Sequence, residues 1–139
     1  MTVLVDSNVI LDVLTEDPVW SEWSANALAH AADRGRLVIN AVIFAEVSIR
    51  FSRTEELDAA LPTDLYAREP IPYEAAFLAG KVFLRYRRRG GERRSPLPDF
   101  FIGAHAAVAG YRLLTRDATR YRGDFPQLPL IAPSPRSTD

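Results

Sequence analysis

Short apolar runs that stop at acidic or turn residues alternate with stretches of helical periodicity along the chain, and this alternation constrains the fold most. Thr2–Val5 reads as a buried strand that ends at Asp6-Ser7-Asn8, after which Val9, Ile10, Val13 and Leu14 take up helical spacing. Glu16-Asp17-Pro18 breaks that helix. Trp20, Trp23, Ala27 and Ala31 then form one face of an amphipathic helix closing near Gly35. Leu37–Ile39 is a second strand, and Asn40 is placed to cap a helix over 41–51. Thr54 caps a short helix over 54–61, and a weak strand falls between Pro62 and Pro70. The spacing of Ala76, Phe77, Gly80, Phe83 and Leu84 predicts a helix over 73–89, ended by Gly90-Gly91. Residues 92–97 form a loop, and Pro98 sits where proline is tolerated, in the first turn of a helix running to about Ala109. Strands follow at 111–114 and 130–132. Strands separated by helices return parallel, so the fold class is α/β with a mainly parallel sheet.

The 139 residues suffice for one domain, 1–139, with 133–139 as a frayed tail. With no cysteine, disulfides and thiolate metal sites are excluded. No stretch approaches the roughly 20 apolar residues of a membrane helix, and no secretory leader is evident, so a cytoplasmic protein without membrane contact is expected. The net charge of -1 conceals an asymmetry: residues 1–80 carry 13 acids against 5 bases, whereas residues 81–139 carry 5 acids against 12 bases.

Four acids stand at marked positions. Asp6 and Asp117 each follow a short strand, at the sheet edge where α/β proteins bind ligands. Glu46 interrupts the apolar run Ala41–Val47, and Asp99 lies in the first turn of the Pro98 helix. Singly, each has an ordinary reading: Asp6 as a helix cap, Asp99 as a partner for the helix dipole, Glu46 as a solvent-facing acid, Asp117 as a turn former. Brought together, carboxylates raise one another's pKa, a cost that a divalent cation removes. Oxygen ligands without cysteine or paired histidines suit Mg²⁺ or Mn²⁺ and phosphoryl chemistry.

Four segments make the chain recognisable. Val3-Leu-Val-Asp6-Ser-Asn8-Val-Ile-Leu-Asp12, Ala41-Val-Ile-Phe-Ala-Glu46-Val, Pro98-Asp99-Phe-Phe-Ile-Gly-Ala-His-Ala and Leu113-Leu-Thr115-Arg-Asp117, with Phe125 beyond, resemble in order the motifs of PIN domains. The resemblance covers about residues 2–132, and the chain's length resembles the toxin subunit of a VapBC-type toxin–antitoxin pair. Phe100 and Phe101 depart from the small or aliphatic residues usual there. The resemblance implies a three-layer α/β/α fold and a metal-dependent endoribonuclease that leaves 5′-phosphate and 3′-hydroxyl ends. Asp6, Asp99 and Asp117 would ligate Mg²⁺ or Mn²⁺, and Glu46 would hold a water on the metal or complete a second site. Asn8 and Thr115 would orient the carboxylates. The implied partners are an RNA substrate, a VapB-like antitoxin and a second copy in a homodimer.

Arg85, Arg87, Arg88, Arg89, Arg93 and Arg94 crowd the stretch before Asp99, more than a helix end needs for its dipole, so they are assigned to RNA phosphates. Tyr86 among them suits base stacking or core packing equally, and His105, on an apolar helix, is read as packed. Two other classes compete. A phosphoryl-transfer enzyme using Asp6 as nucleophile would want a second aspartate where Asn8 stands. A PIN-like RNA-binding or interaction module without catalysis has no need of all four acids.

Overall fold

The computed structural model describes residues 1–90 and 97–134. The described elements are β1 (Thr2–Val5), α1 (Ser7–Leu14), α2 (Ser21–Arg34), β2 (Arg36–Ile39), α3 (Ala41–Ser48), α4 (Thr54–Ala60), β3 (Tyr66–Arg68), α5 (Tyr73–Arg88), α6 (Pro98–Ala109), β4 (Arg112–Leu114), α7 (Ala118–Arg122) and β5 (Leu130–Ile131). The five strands form one sheet in the order β3-β2-β1-β4-β5, and every pairing is parallel. The sheet is thus wholly parallel where the sequence suggested mainly parallel.

Right-handed crossovers fix the layers. From β1 the chain steps to β2 and then β3 in one direction and then crosses back to β4, so helices cover both faces. α1 packs on α2 and α3, and α6 packs on α5, β4 and α3. A parallel sheet covered on both faces needs strands that are apolar throughout. Val3, Leu4, Val5, Val38, Ile39, Leu113 and Leu114 are accordingly all buried.

Local chemistry sets the boundaries. Asn40 caps α3, its Oδ1 accepting from the Ile43 amide at 3.0 Å. Gly110, at φ 74°, ends α6 in the left-handed conformation that glycine adopts without strain. Gly103 is fixed by contact instead: a Cβ there would lie 2.4 Å from the Phe125 ring. Phe100 is buried against Phe83 and Tyr86, with ring centroids 6.0 and 5.6 Å away, so its bulk fills the α5–α6 seam.

Three details differ from the sequence reading. α4 is preceded by Arg53 and has no side-chain cap bond, so Thr54 is its first helical residue and not its cap. α3 ends at Ser48 and not Phe51, where a turn takes over. α7 was not anticipated: its five residues are too few for periodicity to register. The loop expected over 92–97 and the tail over 133–139 fall almost wholly outside the described residues.

Candidate active site

The strand order reverses between β1 and β4, and the crevice at such a reversal is the usual ligand position. Val5 pairs with Leu114, and the Asp6 amide donates to the Leu114 carbonyl at 2.9 Å, so residues 6 and 115 leave the sheet side by side. Asp6 is 2% exposed and caps α1, Oδ1 accepting from the Ser7 amide at 2.8 Å. Its Oδ2 accepts from the Thr115 hydroxyl at 2.9 Å, the Tyr121 hydroxyl at 2.9 Å and the Asn8 amide at 3.4 Å. Thr115 is itself oriented, accepting from the Asp117 amide at 3.1 Å and the Asn8 side chain at 3.3 Å. Burial pushes the Asp6 carboxyl up to about 6; the Thr115 and Tyr121 hydroxyls oppose this, and the charges of Asp99 and Glu46 add to it.

The other acids approach from separate elements. Asp99, in the first turn of α6, lies 3.4 Å from the Tyr121 hydroxyl, which has one proton to share between Asp6 and Asp99. Burial raises the Asp99 pKa against the pull of Arg120 and Tyr121, and Asp117 raises it further. Asp117 stands at the head of α7 and meets Arg120 Nη2 at 3.1 Å, while Arg120 Nε is 3.3 Å from Asp99. Glu46 extends from α3 and accepts from the Ser7 hydroxyl at 2.7 Å. Glu46, Asp99, Arg120, Tyr86 and Asp124 line a cleft of about 480 Å³.

All four sequence-selected acids therefore lie in one linked set: Glu46 through Ser7 to Asp6, through Tyr121 to Asp99, through Arg120 to Asp117. Among the described residues, no three acids or histidines close into a cage that fits an ion as they stand. The donor set is nonetheless that of a hard cation: carboxylate oxygens, among them a lone pair left on Asp6 Oδ1, in a setting where burial and mutual repulsion disfavour bare charge.

Two side chains escaped the sequence reading, Arg120 and Tyr121. Tyr121 is fully buried, and burial together with the two aspartates raises its pKa far above the usual phenol range. The available signal was their spacing of three and four from Asp117, one helical turn.

Arg89 pairs with Asp124 at the cleft and lies over the Tyr86 ring, 5.6 Å from its centre. Arg87 lies over Phe83, and Arg85, Arg87 and Arg88 are exposed. Arg93 and Arg94 lie outside the described residues. His105 is buried, its Nδ1 2.9 Å from the Asn40 amide, and burial lowers its pKa against the pull of Glu69. It is a packed side chain 3.6 Å from Glu69, outside the linked set of four acids.

A family model described as the PIN domain matches residues 3–125. The chain belongs to the PIN domain family. No curated protein matches it by sequence. Several solved structures share its fold. A chain of VapBC2 from Rickettsia felis, bound to a promoter DNA fragment, is 16% identical over 96% of this chain and 100% of its own, with a TM-score of 0.74. One of VapBC-1 from nontypeable Haemophilus influenzae is 18% identical over 95% and 98%, with a TM-score of 0.72. One from a toxin–antitoxin complex of Klebsiella pneumoniae is 20% identical over 95% and 98%, with a TM-score of 0.65.

Proposed function

We propose that this chain is a Mg²⁺- or Mn²⁺-dependent endoribonuclease, acting in the cytoplasm as the toxin of a toxin–antitoxin pair. The observation that carries the reading is the linked set of four acids, drawn from the β1–α1 junction, α3, α6 and the β4–α7 turn to the point where the strand order reverses. Asp6, Asp99 and Asp117 would hold the ion, with Glu46 beside them. A bound divalent ion supplies an activated water and neutralises charge on the scissile phosphate. Thr115, Asn8 and the Ser7 amide hold the Asp6 carboxylate in one orientation. The Tyr121 hydroxyl fixes the spacing of Asp6 and Asp99, and Ser7 aims Glu46 at the cleft. The exposed arginines of α5 would contact RNA phosphates, with Arg89 tied back to Asp124. A nucleophilic Asp6 fits poorly, because four donors grip its buried carboxylate and an attacking group has to move onto phosphorus.

Two outward faces support the partner assignments. Tyr73, Phe77 and Leu84 make an exposed strip along α5, suited to a second copy of the chain. Exposed Leu14 and Val19, next to partly buried Trp20 and Trp23, suit an antitoxin helix. A concentration-independent monomer in light scattering would remove the dimer from this reading. The decisive experiment is cleavage of labelled RNA with Mn²⁺ or EDTA. Activity that needs the ion and disappears in Asp6→Asn and Asp99→Asn supports the proposal, and ion-independent or undiminished activity refutes it.

A further inference from the structure

We propose that Arg120 is a built-in counter-cation that competes with the divalent ion for Asp99 and Asp117 and so sets the metal affinity of the site; this rests on the metal-dependent reading above. The guanidinium presents Nε to Asp99 Oδ2 at 3.3 Å, Nη1 to Asp99 Oδ1 at 3.5 Å and Nη2 to Asp117 Oδ2 at 3.1 Å. A planar fork that gives each carboxylate a different set of N–H groups holds the two apart with its own body between them. Oxygens sharing one ion must lie about 2.0–2.6 Å from it, so ion and guanidinium claim the same oxygens. Asp99 and Asp117 accordingly turn their oxygens to the guanidinium and not to one shared point.

Helix chemistry alone does not explain the arrangement. An Asp117–Arg120 pair one turn apart on α7 is ordinary. The contact with Asp99 instead reaches across to α6 and places the cation between two acids that would otherwise repel. Release is also easy. The Arg120 side chain is 51% exposed, and ion pairs so open to water hold weakly. Swung outward, it stays at the rim of the cleft it lines with Glu46 and Asp99, where a phosphate would meet it.

The test is calorimetric titration of the full chain with Mn²⁺, comparing the native protein, Arg120→Gln and Arg122→Gln. Arg122 removes the same charge from an exposed position of the same helix. Arg120→Gln should bind Mn²⁺ about tenfold more tightly, the scale of removing one competing charge a few ångströms away, and Arg122→Gln should stay within about twofold of native. Thermal unfolding gives a second readout. In EDTA, Arg120→Gln should melt below the native protein, its two aspartates no longer neutralised, and it should gain more from Mn²⁺. Native binding with an unchanged or weakened Arg120→Gln would overturn this inference alone, as would an equal shift in Arg122→Gln. Absence of Mn²⁺ binding in every form would overturn the metal-dependent reading with it.

Discussion

Replacing Asp6 with asparagine should remove the activity and at the same time stabilise the metal-free protein. Folding moves the Asp6 pKa from 3.8 to about 6, chiefly through burial. At about 1.4 kcal/mol per pKa unit, this is about 3 kcal/mol. Because the folded state holds the proton longer, stability from this group is greatest below pH 4. It falls as pH rises toward 6, and the full cost is present at pH 7. Asparagine keeps the cap on α1 but puts an NH2 group, which cannot accept, where the carboxyl has a second acceptor oxygen toward Thr115 and Tyr121, a loss of about 1 kcal/mol. The variant should therefore be less stable by about 1 kcal/mol at pH 3 and more stable by about 2 kcal/mol at pH 7, with the curves crossing near pH 4.5. Urea unfolding in EDTA, followed by the fluorescence of Trp20 and Trp23, measures this directly. Taking the difference between the two proteins cancels the titrations they share, such as that of His105. Saturating Mn²⁺ should reverse the order at pH 7, since an ion at about 100 times its Kd adds about 3 kcal/mol to the protein that binds it. A variant less stable than native at pH 7 in EDTA, or a difference flat with pH, would refute the argument that burying Asp6 is what strains the site.

Gly103→Ala should cost about 2 kcal/mol in chemical denaturation, because its Cβ collides with the Phe125 ring; Gly110→Ala should cost about 1 kcal/mol through its positive φ alone. Arg116 donates to the buried Asp12 carboxylate at 2.7 Å, which also accepts from Ser24 at 2.8 Å. Arg116→Ala should cost about 3 kcal/mol by stranding that charge, and adding Asp12→Ala should restore part of the loss in a double-mutant cycle. Replacing Arg85, Arg87 and Arg88 together with alanine should weaken RNA binding and flatten its dependence on salt while leaving Mn²⁺ affinity unchanged; an unaltered salt slope in a filter-binding assay would return these arginines to a helix-end role.

The legible part of the chain was its long-period pattern. β1, β2 and the helices α1, α2, α5 and α6 carry apolar residues at spacings only one kind of element explains, and Asn40, Pro98 and Gly110 mark boundaries by backbone chemistry that acts locally. The four acids were legible by position: Asp6 and Asp117 follow strands, Asp99 opens a helix behind Pro98, and Glu46 interrupts an apolar run. What joins them was not. Tyr121 looks like any aromatic core residue until β4 lies beside β1 and brings its hydroxyl to Asp6. Arg120 looks like one more surface arginine among many. Both lie on a helix of five residues, less than two turns, too short to leave a periodic trace. Thr54 has the chemistry of a cap, yet the chain begins the helix one residue earlier, at Thr54 itself.

The pairing of β1 with β4 also dictates when the site comes into being. The first strand of the chain is completed on one side by the second, but on the other it waits for a strand more than 100 residues later. The hydroxyls that hold Asp6 arrive still later, at positions 115 and 121. A chain emerging from the ribosome at about 5–20 residues per second carries Asp6 and Glu46 for several seconds before Asp99, Asp117 and Tyr121 exist to join them. Until β4 is made, β1, β2 and β3 have no fourth strand to pair with and the centre cannot close, so the segment from β4 to α7 sets when the site forms.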